Sequence, residues 1–109
     1  MRYDPFYNPL AAGHLGLARY TLREYAQALP PLRECTSRAP DMSVGHVWLA
    51  ANLAQLGRLD GARAEAAEAL RIDPKFTIDG TARRLALNKR PEDAEHLFDG
   101  LRKAGLPER

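Results

Sequence analysis

Cysteine is nearly missing from this chain. Cys35 stands alone among 109 residues, so no internal disulfide can form, and a zinc site of the multi-cysteine kind is excluded. A reducing, cytoplasmic setting is the expectation. No stretch approaches the ~18 consecutive apolar residues of a membrane span, and Met1 is followed by Arg2, Tyr3 and Asp4 rather than by an apolar signal core. Membrane insertion and export are therefore not expected. Charge of one sign is lacking as well: 16 Lys and Arg face 14 Asp and Glu, a net +2 that is too slight to hold a nucleic-acid backbone or an anionic membrane by itself. Aromatic residues make up 7% of the chain. H-E-x-x-H, a glycine-rich phosphate loop and a G-x-S-x-G elbow are all missing, so the sequence predicts no enzyme, no cofactor and no metal.

What the chain does have is a period. Leu15, Gly16, Leu22, Ala28, Glu34 and Pro40 are followed 34 residues later by Leu49, Ala50, Leu56, Ala62, Glu68 and Pro74. Identical or similarly small residues recur at each step, the mark of a repeat architecture. Within the second copy, Val44, Val47, Trp48, Ala51 and Leu56 fall at helical spacing, as do Leu59, Ala62, Ala66, Ala69 and Leu70. Gly57 separates these two helices, and Asp73-Pro74 ends the second. Its alanines permit close approach to neighbouring helices, while Arg63, Glu65, Glu68 and Arg71 form a solvated face on which Glu68 and Arg71 can pair.

With this spacing, Ala12-x2-Leu15-Gly16-x2-Arg19, Ala28-x3-Leu32 and Pro40, then His46-x2-Leu49-Ala50-x2-Leu53, Ala62-x3-Ala66 and Pro74, resemble the tetratricopeptide repeat. The resemblance implies a single all-α domain, an α-solenoid of antiparallel helix pairs with about six helices. Repeat 1 spans 9–42, repeat 2 spans 43–76, and divergent capping helices fill 77–109. A narrower likeness, carried by "GHVWLAANLAQLGRLDGARAEAAEALRIDPKFTIDG" and "LFDGLRKAGLPE", is to the C-terminal repeat region of bacterial adenylate/guanylate cyclase-type proteins. Nothing in the chain resembles a cyclase catalytic domain.

Local signals refine the boundaries. Asn8-Pro9 is an N-cap and first-turn pair that starts a helix near residue 9. Pro30-Pro31 conflicts with a helix in the first repeat and predicts a kink or a delayed start. Ile78, Ala82 and Leu85 suggest a short helix where Arg83 and Arg84 replace the repeat's Leu and Gly. Pro91, Glu92 and Asp93 open another helix that Gly105 and Pro107 close. The segment "RYDPFYNP" resembles the tail that follows an earlier repeat, which suggests a piece of a longer array.

The function expected from the resemblance is protein–protein interaction on the concave surface lined by the first helix of each pair. Its groove positions are Leu10, Gly13, His14, Leu17, Tyr20 and Thr21 in repeat 1, and Val44, Val47, Ala51, Ala54 and Gln55 in repeat 2. These are mostly apolar, and the Lys and Asn residues of a carboxylate clamp are missing at Gly13, Leu17, Val47 and Ala51. The expected occupant is a protein or peptide helix with apolar anchors at i, i+3, i+4 and i+7, or a second copy of the chain. Nucleic acid is a weaker alternative, through Arg83-Arg84, Lys89-Arg90 and Arg102-Lys103. His14, His46 and His96 show no ligand spacing, Glu95 and Asp99 read as a solvated pair facing Arg102 and Lys103, and Cys35 reads as a buried neutral thiol.

Overall fold

The computed structural model describes residues 8–87 and 89–109, all of them helical or in connecting turns, with no strand among them. The expectation for Arg2 to Tyr7 lies outside the described residues. Helices α1 (Pro9–Thr21) and α2 (Tyr25–Arg38) pack along each other, and so do α3 (Ser43–Gln55) and α4 (Leu59–Ile72). A three-residue link inside each pair reverses the chain, so each is a helical hairpin. α2 also lies against α3.

The two hairpins match residue for residue in length, displaced by 34 positions. Their closing hydrogen bonds repeat at the same offset. The N–H groups of Leu22, Arg23 and Glu24 donate to the carbonyls of Ala18, Tyr20 and Arg19; those of Leu56, Gly57 and Arg58 donate to Asn52, Ala54 and Leu53. Each turn carries one left-handed residue, Arg23 (φ 62°) in the first and Gly57 (φ 80°) in the second. The Asn8 side chain accepts from the Leu10 N–H with Pro9 in the first turn, as the sequence predicts.

Pro30 and Pro31 do not delay α2, which is helical from Tyr25 onward. The carbonyls deprived of a donor belong to Ala26 and Gln27, both exposed, where water can serve them. Small residues set the helix spacing, as expected for Ala62, Ala66 and Ala69, which are all buried. At Gly13 and Gly45 an added Cβ would lie 3.0 Å from the Cys35 sulfur, so α1 and α3 close on α2 from two sides of a buried thiol.

Residues 77–109 abandon the repeat. A π-helical turn, Ile78–Ala82, runs into the single turn α5 (Arg83–Leu85), where one short helix is expected. Its first N–H groups, those of Ile78 and Asp79, donate to the tail carbonyls of Pro107 and Glu108. Helix α6 (Pro91–Lys103) then turns back onto α3 and reaches α1, and Gly105 ends it at φ 89°. One buried cluster runs from Tyr20 and Leu32 through the whole of α3 to Leu97, Phe98 and Leu101.

Candidate interaction cleft

α1 and α3 lie side by side and form the floor of a trough. The residues expected to line it divide into two sets. Tyr20, Ala51 and Gln55 lie beneath α6. Tyr20 donates its hydroxyl hydrogen to the His96 carbonyl at 2.7 Å and stacks on the His96 ring at 4.4 Å, while Gln55 donates to the Tyr20 oxygen and to Asp99. Lys103 reaches back to Gln55. Helix α6 comes this close because residue 100 is glycine: a Cβ there would collide with the Tyr20 hydroxyl and lie 3.0 Å from the Ala51 Cβ.

The other set stays open. Leu10, His14, Leu17 and Val44 surround two adjoining hollows of about 400 Å³ each, with Trp48 and Leu85 common to both rims or walls alongside His14. His14 is exposed and leans on the Trp48 ring at 5.4 Å. Val47 and Ala54 are buried, Gly13 is held against Trp48 and Cys35, and Thr21 donates its hydroxyl hydrogen to the Leu17 carbonyl, inside its own helix. Ala18, Ser43, Trp48, Leu85 and Lys89 were not foreseen as lining residues. Trp48 was legible only as an apolar helix position, and Leu85 and Lys89 enter because the divergent segment folds back toward α1 and α3.

Electrostatics separate the two halves. Around α6, burial pushes the Tyr20 phenol above its ordinary value, so it remains neutral and donating. Burial would raise Asp99 too, but hydrogen bonds from Lys103 and Gln55 outweigh it and keep the carboxyl below its usual range. Burial and the Arg23 charge hold His96 below its ordinary value; its Nε2 exchanges a 2.6 Å hydrogen bond with the Tyr25 hydroxyl, and its buried Nδ1 has no partner among the described residues. The open half carries one formal charge on its lining, Lys89, and no described carboxylate pairs with it.

Comparison with protein-family models, curated proteins and solved structures finds no match to this chain.

The remaining candidates have partners of their own. His46 is buried between Glu65 (2.7 Å) and the Pro40 carbonyl (2.8 Å), a link between α3, α4 and the turn after α2. Glu95 and Asp99 meet Arg102 and Lys103 as the sequence suggests. Of the basic pairs, Arg83 bonds Asp79 and covers the Phe98 ring, Arg90 meets Glu92 and Asp93, and Arg102 also meets Glu108. Such pairing compensates Arg83, Arg90, Arg102 and Lys103 within the chain. Burial pushes the Cys35 thiol up, away from the reactive thiolate. Among the described residues no three His, Cys, Asp or Glu converge as metal ligands, and no helix is long and apolar enough to cross a membrane.

Proposed function

We propose that this chain is an interaction module of the tetratricopeptide kind, which docks an amphipathic helix of a protein partner in the open half of the α1–α3 trough. The observation that carries this reading is α6. Helix α6 already occupies the Tyr20–Ala51–Gln55 half of the trough, meeting it through His96, Asp99, Gly100 and Lys103, and no described residue fills the apolar Leu10–Leu17–Val44–Trp48 half beside it. Exposed apolar concavities of this size mark interfaces more often than bare surface. Lys89 selects a partner with an acidic residue beside its apolar anchors. The likeness to cyclase-type repeat regions supports a regulatory or assembly role inside a larger bacterial protein.

Trp48 is the chain's one tryptophan and stands in the cleft wall, so its fluorescence reports occupancy. The probes are two synthetic helical peptides with leucines at i, i+3, i+4 and i+7, one flanked by glutamates and one by lysines. The expected result is a saturable change in Trp48 emission, stronger for the glutamate-flanked peptide and weakened about tenfold by Leu17→Glu, a loss of about 1.4 kcal/mol. No saturable change, or one indifferent to Leu17→Glu, overturns the reading. Self-association abolished by Leu17→Glu would assign the cleft to a second copy instead.

A further inference from the structure

The same 34-residue offset exposes a second surface, on the face of α1 next to the trough, with Ala18 at the boundary between the two. Within the chain, hairpin two stacks on hairpin one through a defined contact. α3 presents Gly45, Leu49 and Asn52 to α2: Gly45 faces the Cys35 sulfur and lies 3.5 Å from the Thr36 methyl, and the Asn52 amide donates to the Tyr25 carbonyl at 3.0 Å. Leu49 is 1% exposed there. The equivalent positions on α1 are Ala11, Leu15 and Ala18, and all three are exposed, Leu15 at 54%. Leu22, the counterpart of Leu56, extends the stripe at 66%. The first hairpin thus shows solvent the face that the second hairpin buries.

The complementary face is open at the other end. The counterparts of Tyr25, Leu29 and Thr36 on α4 are Leu59, Arg63 and Leu70. Leu59 is 40% exposed, Arg63 is exposed, and Leu70 is half-buried. In a continuing stack a third hairpin would lie on this face. Here α6 turns back onto α3 instead, and α4 keeps α3 as its main partner. Among the described residues, nothing fills an acceptor face on α1 or a donor face on α4, and the two are related by the geometry that already joins α2 to α3.

We propose that copies of this chain stack head to tail, α4 of one on α1 of the next, repeating between molecules the junction that α2 and α3 make within one. Leu15 takes the buried place of Leu49, and Leu59, whose counterpart Tyr25 meets Asn52 through its carbonyl while its ring turns to His96, lies at the edge of the seam. The Arg63 stem lies along the seam where Leu29 lies inside the chain, with its guanidinium left in water. Such a contact is heterologous, so it does not close on itself at two copies.

Light scattering of the full chain over a concentration series is the test. The expected result is a mass that grows past the dimer with concentration. Leu15→Glu or Leu59→Glu each weakens assembly about tenfold or more, because a carboxylate enters a desolvated seam. Each variant keeps one good face, so an equimolar mixture of the two stops at a heterodimer. Leu17→Glu in the trough leaves the stack intact, which separates failure here from failure of the helix-docking reading. A monomer at every concentration overturns the proposal. So does assembly lost in Leu15→Glu but untouched by Leu59→Glu, which would mean two α1 faces meeting each other. Circular dichroism on each variant confirms that the helices persist.

Discussion

The two hairpins share one backbone and fill it differently. Where α1 meets α2, Gly16 faces Leu32, and a Cβ on Gly16 would collide with that leucine side chain. At the corresponding crossing of α3 and α4, Ala50 faces Ala66, and both are buried. A large and a missing side chain have been exchanged for two small ones without changing helix lengths or turn bonds. The comparison teaches that the crossing accepts a large side chain only where its partner is missing, and otherwise two small ones, so neither position is specified on its own.

Breaking that trade should give the largest effect. Leu32→Ala alone empties a fully buried site and is expected to cost about 3 kcal/mol. Gly16→Ala alone overpacks the crossing and costs about 2 kcal/mol. The double variant recreates the Ala50–Ala66 pair, so in urea unfolding it should lose clearly less than the sum of the two; strict additivity would refute the exchange of volume. Next comes the contrast between the filled and open halves of the trough. Gly100→Ala places a methyl group against the Tyr20 hydroxyl and Ala51, loosens α6, and costs about 2 kcal/mol. Hydrogen exchange should then rise along α6 while the α1–α2 amides keep their protection.

The repeat explains how much of this was legible in the sequence. Leu15/Leu49, Ala28/Ala62 and Pro40/Pro74 pointed to two helix pairs at one spacing, while Asn8-Pro9 and Asp73-Pro74 gave the start of the first helix and the end of the fourth. Pro30 and Pro31 misled by local propensity: the carbonyls they strand lie on exposed residues, so tertiary packing carries α2 through them. The trough was legible as a set of α1 and α3 positions, but its occupant was not. That α6 covers Tyr20, Ala51 and Gln55 depends on Gly100 fitting against Tyr20, a contact 80 residues away in sequence with no periodic signal. Leu85 and Lys89 were missed for the same reason, since they lie where the repeat pattern has ended.

The turns sharpen the comparison at smaller cost. Arg23 holds a left-handed conformation that Gly57 adopts without strain at the same place in the second hairpin. Arg23→Gly is expected to stabilise the chain by about 1 kcal/mol in urea unfolding. An unchanged or lower midpoint would show that the Arg23 side chain contributes more than its backbone costs.

The smallest effect belongs to His96, which joins α6 to the first hairpin. Because burial and the Arg23 charge lower its folded pKa, the unfolded chain takes up this proton first as pH falls. Stability from this group is therefore level above its ordinary value near 6.5 and declines on acidification below it. Burial keeps Tyr20 neutral in that range; of the charges around the ring, Arg23 and Lys103 favour the neutral form, and Asp93 and Asp99 oppose it. Unfolding midpoints at pH 7.5 and 5.5 should differ in the native chain and differ less in His96→Asn. Arg23→Gly should shrink the same difference part of the way, since it removes one of the causes that hold His96 neutral. An undiminished difference in His96→Asn would place the sensitivity on another group and leave α6 indifferent to protons in this range.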